Sequence, residues 1–161
     1  MSRLRTLNWL AKVFAIGSHI QQKISLARIS NKGENITLRS GVIIKNPEEL
    51  TLGSRVLINH NSLINAKGGV DIGNDVVIGF SVIIATSGHS GPNFFSKSTH
   101  QPISIGSNVW IGAGVIVNPG SRIGSNVIIG SGAVVTGSIP DNVTAVGVPA
   151  RPIDSDSSSA S

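Results

Sequence analysis

From residue 52 to residue 140 an aliphatic side chain returns every six positions. Written in sixes, the chain reads LGSRVL, INHNSL, INAKGG and, after Val70 and Asp71, IGNDVV, IGFSVI, IATSGH. It resumes as IGSNVW, IGAGVI, VNPGSR, IGSNVI, IGSGAV, VTGSIP. The lead residues are Leu52, Ile58, Ile64, Ile72, Ile78, Ile84, Ile105, Ile111, Val117, Ile123, Ile129 and Val135. A step of six is no multiple of a helical turn, so a helix would scatter these side chains around its axis. Short strands joined by tight turns put them all on one side. Gly, Asn, Ser and Asp between the leads suit turns that need positive φ or side-chain bonds to the backbone. A lead side chain enters the core, and the small residue after it relieves crowding. Three strands then make one triangular coil of about 18 residues, and stacked coils pair as parallel strands into one continuous core. The expectation is an all-β solenoid, with these Ile, Val and Gly residues as scaffold.

Composition agrees. The chain has 161 residues, fitting one domain, with 40% hydrophobic residues, 19 glycines and only 13% charged residues. Absence of cysteine excludes disulfides and thiolate metal sites, and it suits a reducing compartment. The net charge of +5 is unevenly placed. Arg3, Arg5, Lys12, Lys23, Arg28 and Lys32 occupy residues 1–33 without a single acid. Their even spacing, with no RNA-type aromatic motif, argues against nucleic acid as a partner.

Leu4, Leu7, Leu10, Ala11, Phe14 and Ile20 recur at helical steps, so residues 1–33 are expected to form an amphipathic helix. Asn8, Lys12 and Ser18 break its apolar run below the roughly 20 residues of a membrane span. Lys12 also spoils a signal-peptide reading. The helix is expected to pack on the body of the protein or on a neighbouring subunit. Its bases also suit peripheral membrane contact through residues 1–30. The solenoid is expected over 34–153, and DSDSSSAS at 154–161 reads as a disordered tail.

The rhythm stops within ATSGHSGPNFFSKSTHQPISIG. Ile84 is followed by the next lead, Ile105, after 21 residues rather than 6, so about 15 residues leave the coil as a loop near 87–102. A solenoid has no cleft of its own, and insertions into its coils are where function gathers. His89 and His100, two of the four histidines, fall in this segment.

The stretch IGSNVWIGAGVIVNPGSRIGSNVIIGSGAVVTGSIPDNVTAVGVPARPI resembles the C-terminal half of the hexapeptide-repeat acetyltransferases, above all galactoside, maltose and polysaccharide O-acetyltransferases. VWIG, NPGSRIG, VVTGSIP and AVGVPARPI carry the likeness, which extends over residues 36–153. It implies a left-handed parallel β-helix, a hand that periodicity alone does not give. It also implies a homotrimer, acetyl-CoA as acyl donor with no metal required, and a sugar or polysaccharide precursor as acceptor in the cytoplasm.

By the same resemblance TSGHS matches the family's stretch bearing a general base, so His89 is the expected catalytic residue. An imidazole can take a proton from a hydroxyl attacking a thioester and return it to the departing thiolate. His100, at the far end of the loop, is a candidate for lining the acceptor site. Asn61 falls where the family's acceptor-pocket asparagine stands, and it reads equally well as a turn asparagine. Trp110 is placed over the acceptor or pantetheine channel by the resemblance, or at a trimer seam by its size. The resemblance also points to Ala113, Ser131 and Thr136 for coenzyme A and to Arg151 for its phosphates. Gly137 departs from the family, standing where a lysine is common. The loop lacks the usual arginine, Lys97 being its only base, and the N-terminal segment, residues 1–33, does not resemble the maltose acetyltransferase module.

Three alternatives accompany this reading. One is an antibiotic- or amine-modifying acetyltransferase of the same fold. Another is a non-catalytic scaffold, which would commonly have lost the base. The third is a metal hydratase of the gamma carbonic anhydrase kind. It needs three histidine ligands, two of them close in sequence, and the loop lacks such a pair.

Overall fold

A computed structural model describes residues 26–90 and 98–153. The helix expected over residues 1–33 lies mostly outside them; its described end is helical at 26–28. Ile29 is buried in the core and Leu26 packs against it, so this end covers the first coil. Lys32 Nζ donates to the Ile29 carbonyl at 2.9 Å and holds the entry in place. The expected tail, 154–161, also lies outside the described residues.

The first coil consists of β1 (Asn31–Lys32), β2 (Thr37–Leu38) and β3 (Ile43–Lys45), so the ladder begins slightly before residue 34. A 3-10 turn at Pro47–Glu49 leads to β4 (Leu50–Leu52), β5 (Val56–Ile58) and β6 (Leu63–Asn65). The third coil is β7 (Val70–Ile72), β8 (Val76–Ile78) and β9 (Ile83–Ala85). An antiparallel pair, β10 (Ser87–His89) and β11 (Ser98–His100), then leaves the coil. The solenoid resumes with β12 (Ile103–Ile105), β13 (Val109–Ile111) and β14 (Ile116–Val117), then β15 (Arg122–Ile123), β16 (Val127–Ile129) and β17 (Val134–Val135). It closes with β18 (Ser138–Ile139), β19 (Thr144–Val146) and β20 (Arg151–Ile153).

Three parallel sheets form the walls. The first runs β1-β4-β7-β12-β15-β18, the second β2-β5-β8-β13-β16-β19, and the third β3-β6-β9-β14-β17; β20 adds antiparallel to the end of the second. All twelve lead residues are buried. A second inward row stands two residues before each lead, because side chains alternate along a strand. It comprises Leu50, Val56, Ser62, Val70, Val76, Val82, Ile103, Val109, Val115, Ser121, Val127 and Ala133, all buried. Its two serines satisfy themselves locally: Ser62 Oγ donates to the Gly79 carbonyl and Ser121 Oγ to the Val135 carbonyl.

The small residue after each lead has the expected cause. At Gly79 a Cβ would stand 2.8 Å from the Ala113 nitrogen and the Ile111 oxygen, so the backbone of the next coil occupies a side chain's place. The turns stack in columns of left-handed residues. Asn35, Arg55, Asp75, Asn108, Asn126 and Asn142 form one such column between the first and second sheets. Each from Arg55 on donates its N–H to the preceding coil.

The outer rows of the three walls differ. The first sheet presents Asn31, Thr51, Asp71, Ser104, Arg122 and Ser138, all polar. The second presents Leu57, Val77, Trp110 and Ile128 between Thr37 and Thr144 at its ends, and the third Ile43, Leu63, Ile83, Ile116 and Val134. One wall is suited to water and two carry apolar ladders.

Candidate active site

The site residues are best located by corner. His89 and His100 lie on β10 and β11, which project where the third sheet gives way to the first. The root of this hairpin is tied down. Thr86 Oγ1 donates to the Asn65 carbonyl at 2.8 Å and accepts from the Gly68 N–H at 2.9 Å, while Gln101 N–H donates to the Thr86 carbonyl. The register pairs Ser87 with His100, Gly88 with Thr99 and His89 with Ser98. Alternation therefore places Ser87, His89, Ser98 and His100 on one face of the ribbon. The Gly88 face lies against the next coil, a Cβ there reaching 3.7 Å from Pro119. Both imidazoles belong to exposed residues. His100 Nδ1 is 3.0 Å from Ser87 Oγ, which itself accepts from Asn65 Nδ2 at 3.3 Å.

Asn61 sits at another corner, between the second and third sheets. It is left-handed, with φ 60°, and its N–H donates to the Ser40 carbonyl. Its side chain lies over Gly41, where an added Cβ would meet Asn61 Oδ1 at 2.1 Å. This is the geometry of a turn asparagine, and within one chain it stands a full strand away from the hairpin. Beside it His60 stacks on Phe80 of the next coil, ring centroids 5.8 Å apart and planes within 5°. The repeat carries the signal for that pair, since each residue stands two positions after a lead, Ile58 and Ile78, which pair in adjacent coils. His60 is thus separated from the hairpin histidines. Among the described residues no three His, Cys, Asp or Glu side chains stand close enough to hold a metal ion.

Ala113 and Ser131 continue the His60–Phe80 column into the later coils; the neighbouring Gly132 N–H donates to the Ala113 carbonyl. At Gly114 and Gly132 a Cβ would meet nothing within 4 Å. The backbone edge is therefore open along two coils, as a thin linear ligand such as a pantetheine arm requires. Thr136 is exposed at the third-sheet end near the hairpin corner, beside Gly137, which also faces open space. Arg151 lies on β20, exposed, with Nη1 donating to its neighbour Ala150's carbonyl at 2.8 Å. Trp110 is 56% exposed on the second wall, in a shallow hollow of about 320 Å³ with Val77, Ile128, Asp75, Asn108 and Asn126.

One chain thus brings His89 and His100 together but leaves Trp110, Asn61 and Ala113 on other faces. No helix among the described residues is long and apolar enough to cross a membrane.

Comparison with known proteins fits this geometry. Residues 102–137 match the bacterial transferase hexapeptide (six repeats) family. The chain is 36% identical over 141 residues to galactoside O-acetyltransferase of Escherichia coli K12, covering 84% of this chain and 70% of that protein. It is 31% identical over 118 residues to WcaF of the same organism, provisionally named a colanic acid biosynthesis acetyltransferase, covering 73% of this chain and 65% of that one. A galactoside acetyltransferase solved in complex with coenzyme A superposes with a TM-score of 0.74 at 37% identity, over 77% of this chain and 64% of its own. The coils are accordingly those of a left-handed parallel β-helix. With its buried lead residues, its single-coil excursion and this degree of identity to galactoside O-acetyltransferase, the chain belongs to the hexapeptide-repeat acetyltransferases.

Proposed function

We infer that the chain transfers an acetyl group from acetyl-CoA to a hydroxyl of a sugar, with His89 as general base, within a homotrimer. The observation that carries the reading is the hairpin: where the coil is interrupted, two strands hold an exposed imidazole clear of the solenoid wall. The coenzyme A complex of a relative supports the donor, and the sugar and polysaccharide enzymes among the relatives support the acceptor class. A sugar of a surface polysaccharide or its precursor, acetylated in the cytoplasm, is the acceptor this favours.

The His89 imidazole takes the hydroxyl proton as the sugar oxygen attacks the thioester carbonyl. A tetrahedral oxyanion forms and collapses, the carbon–sulfur bond breaks, and the imidazolium returns the proton to the coenzyme A thiolate. No covalent acyl-enzyme is needed. Coenzyme A runs along the Ala113–Ser131 corner, with Thr136 at the end of the coil that carries Ser131, Arg151 from β20 and Trp110 on the adjacent wall. Two apolar walls support packing between chains, which brings these surfaces to the hairpin of a neighbour. The segment 1–30 is read as packing on the body of the protein or on a neighbouring subunit, with peripheral contact at an anionic membrane as the alternative.

His89→Ala is the test, with free thiol release followed on a panel of sugars. Turnover is expected to fall by about two to four orders of magnitude, with KM for acetyl-CoA little changed. Near-normal turnover would place the base elsewhere.

A further inference from the structure

We propose that His100 is a positioning residue for the acceptor, held in the Nε2–H tautomer by a relay from Asn65 and Ser87, and that the acceptor is accordingly a vicinal diol. The proposal rests on the acetyltransferase reading above and names the acceptor geometry within it.

The relay begins at the backbone. Lys67 N–H donates to Asn65 Oδ1 at 3.3 Å, which turns the amide of Asn65 and aims its NH2 at Ser87. Asn65 Nδ2 then donates to Ser87 Oγ at 3.3 Å. Ser87 Oγ retains its proton and one lone pair, and in the proposed relay it is the proton that goes to His100 Nδ1, 3.0 Å away. A neutral imidazole that accepts at Nδ1 carries its proton at Nε2. The outward edge of His100 is therefore a hydrogen-bond donor.

His89 has the opposite task, since its working nitrogen must accept. The two side chains stand on one face of the ribbon, diagonal across the strand pair, His89 facing Ser98 and His100 facing Ser87. Such diagonal neighbours lie roughly 7–8 Å apart at the backbone, a span that long rings converge across. An accepting nitrogen and a donating N–H side by side match two adjacent hydroxyls: one surrenders its proton to His89 and the oxygen of the next accepts from His100. A lone alcohol uses only half of this pair.

Two measurements test it. The first needs no substrate: 15N chemical shifts of the imidazoles in the full-length protein. His100 is expected as the Nε2–H tautomer almost exclusively in the wild type, and Ser87→Ala is expected to relax it to the mixed ratio of a free imidazole without altering His89. A wild-type His100 protonated at Nδ1 overturns the relay. The second uses methyl β-galactopyranoside and its singly deoxygenated analogues as acceptors. His100→Ala should raise the acceptor KM about three- to ten-fold, the scale of one neutral hydrogen bond. KM for acetyl-CoA should not change, and His100→Gln, which keeps a donor, should restore most of the loss. One deoxy analogue should cost the wild type as much as the substitution does, and cost His100→Ala nothing further. Equal losses in both proteins refute the diol pairing. Should no sugar be acetylated by the wild type, the acetyltransfer reading fails, while the tautomer result still decides the relay.

Discussion

Asn108 donates its side-chain amide to Asn126 Oδ1 at 2.9 Å, and Asn126 repeats the contact to Asn142 at the same distance. All three are left-handed, with φ of 56°, 57° and 60°. Asparagine is the side chain that tolerates this conformation while also bridging coils. Asn126→Ala is expected to cost about 2 kcal/mol, from the strained φ and two lost contacts. Asn126→Gly should cost clearly less, because glycine removes the strain. Denaturant midpoints decide it; equal losses for the two variants would falsify the backbone argument.

The same column holds Arg55 and Asp75, where the two side chains pair through both Nε and Nη2 of the guanidinium. The Arg55 hydrogen bonds hold the Asp75 carboxyl below its ordinary range, and its positive charge adds to this. The native state then binds fewer protons than the unfolded chain. The contribution is present above the unfolded carboxylate pKa of about 4 and is lost as pH falls through the lower folded value. Both groups are substantially exposed, so the effect is small and salt-screened. The stability gap between wild type and Asp75→Asn should narrow below about pH 4 and in high salt. A gap that widens on acidification contradicts the pairing.

Glycines of two kinds should separate in one experiment. Gly79→Ala drives a Cβ into the backbone of the next coil and should cost about 1–3 kcal/mol. Gly137 has open space around it, so Gly137→Lys should fold as the wild type does. It restores the cation common at that place in the family and should lower KM for acetyl-CoA several-fold, most at low salt. No change in KM would remove this corner from the coenzyme A path.

The polarity of the walls predicts assembly. Val77→Asp or Ile83→Asp, on the second and third sheets, should dissociate the proposed trimer and abolish activity. Ser104→Asp on the polar first sheet should do neither. Sedimentation of the three variants checks this, and a fully active monomer in any of them contradicts a shared site.

The repeat was legible because the lead side chain, its small successor and the turn residues answer to local steric rules. The second buried row is harder to read in the sequence, although it lies two residues before every lead, since Ser62, Ser121 and Ala133 dilute its pattern. The break after Ile84 disclosed an excursion and its histidines. Nothing local foretold that the excursion is a ribbon, or that Asn65 and Ser87 would meet 22 residues apart. Such contacts join adjacent coils through irregular steps. Asn61 reads equally as a turn or an acceptor-pocket residue in the sequence, and its φ and its neighbour Gly41 show the turn without deciding the pocket.

The register of the first sheet carries Asp71 to Ser104, 33 residues on, and then Ser104 to Arg122, 18 on. Closing the longer loop rather than the shorter adds only about 0.5 kcal/mol of chain entropy, because that cost grows with the logarithm of length. The coils on either side pair in unbroken register regardless of what is threaded between them. The scaffold therefore separates two kinds of sequence change: substitutions in the rungs are judged by packing, while rewriting of the excursion is nearly free. An architecture with that property can be re-aimed at new acceptors without renegotiating its own stability.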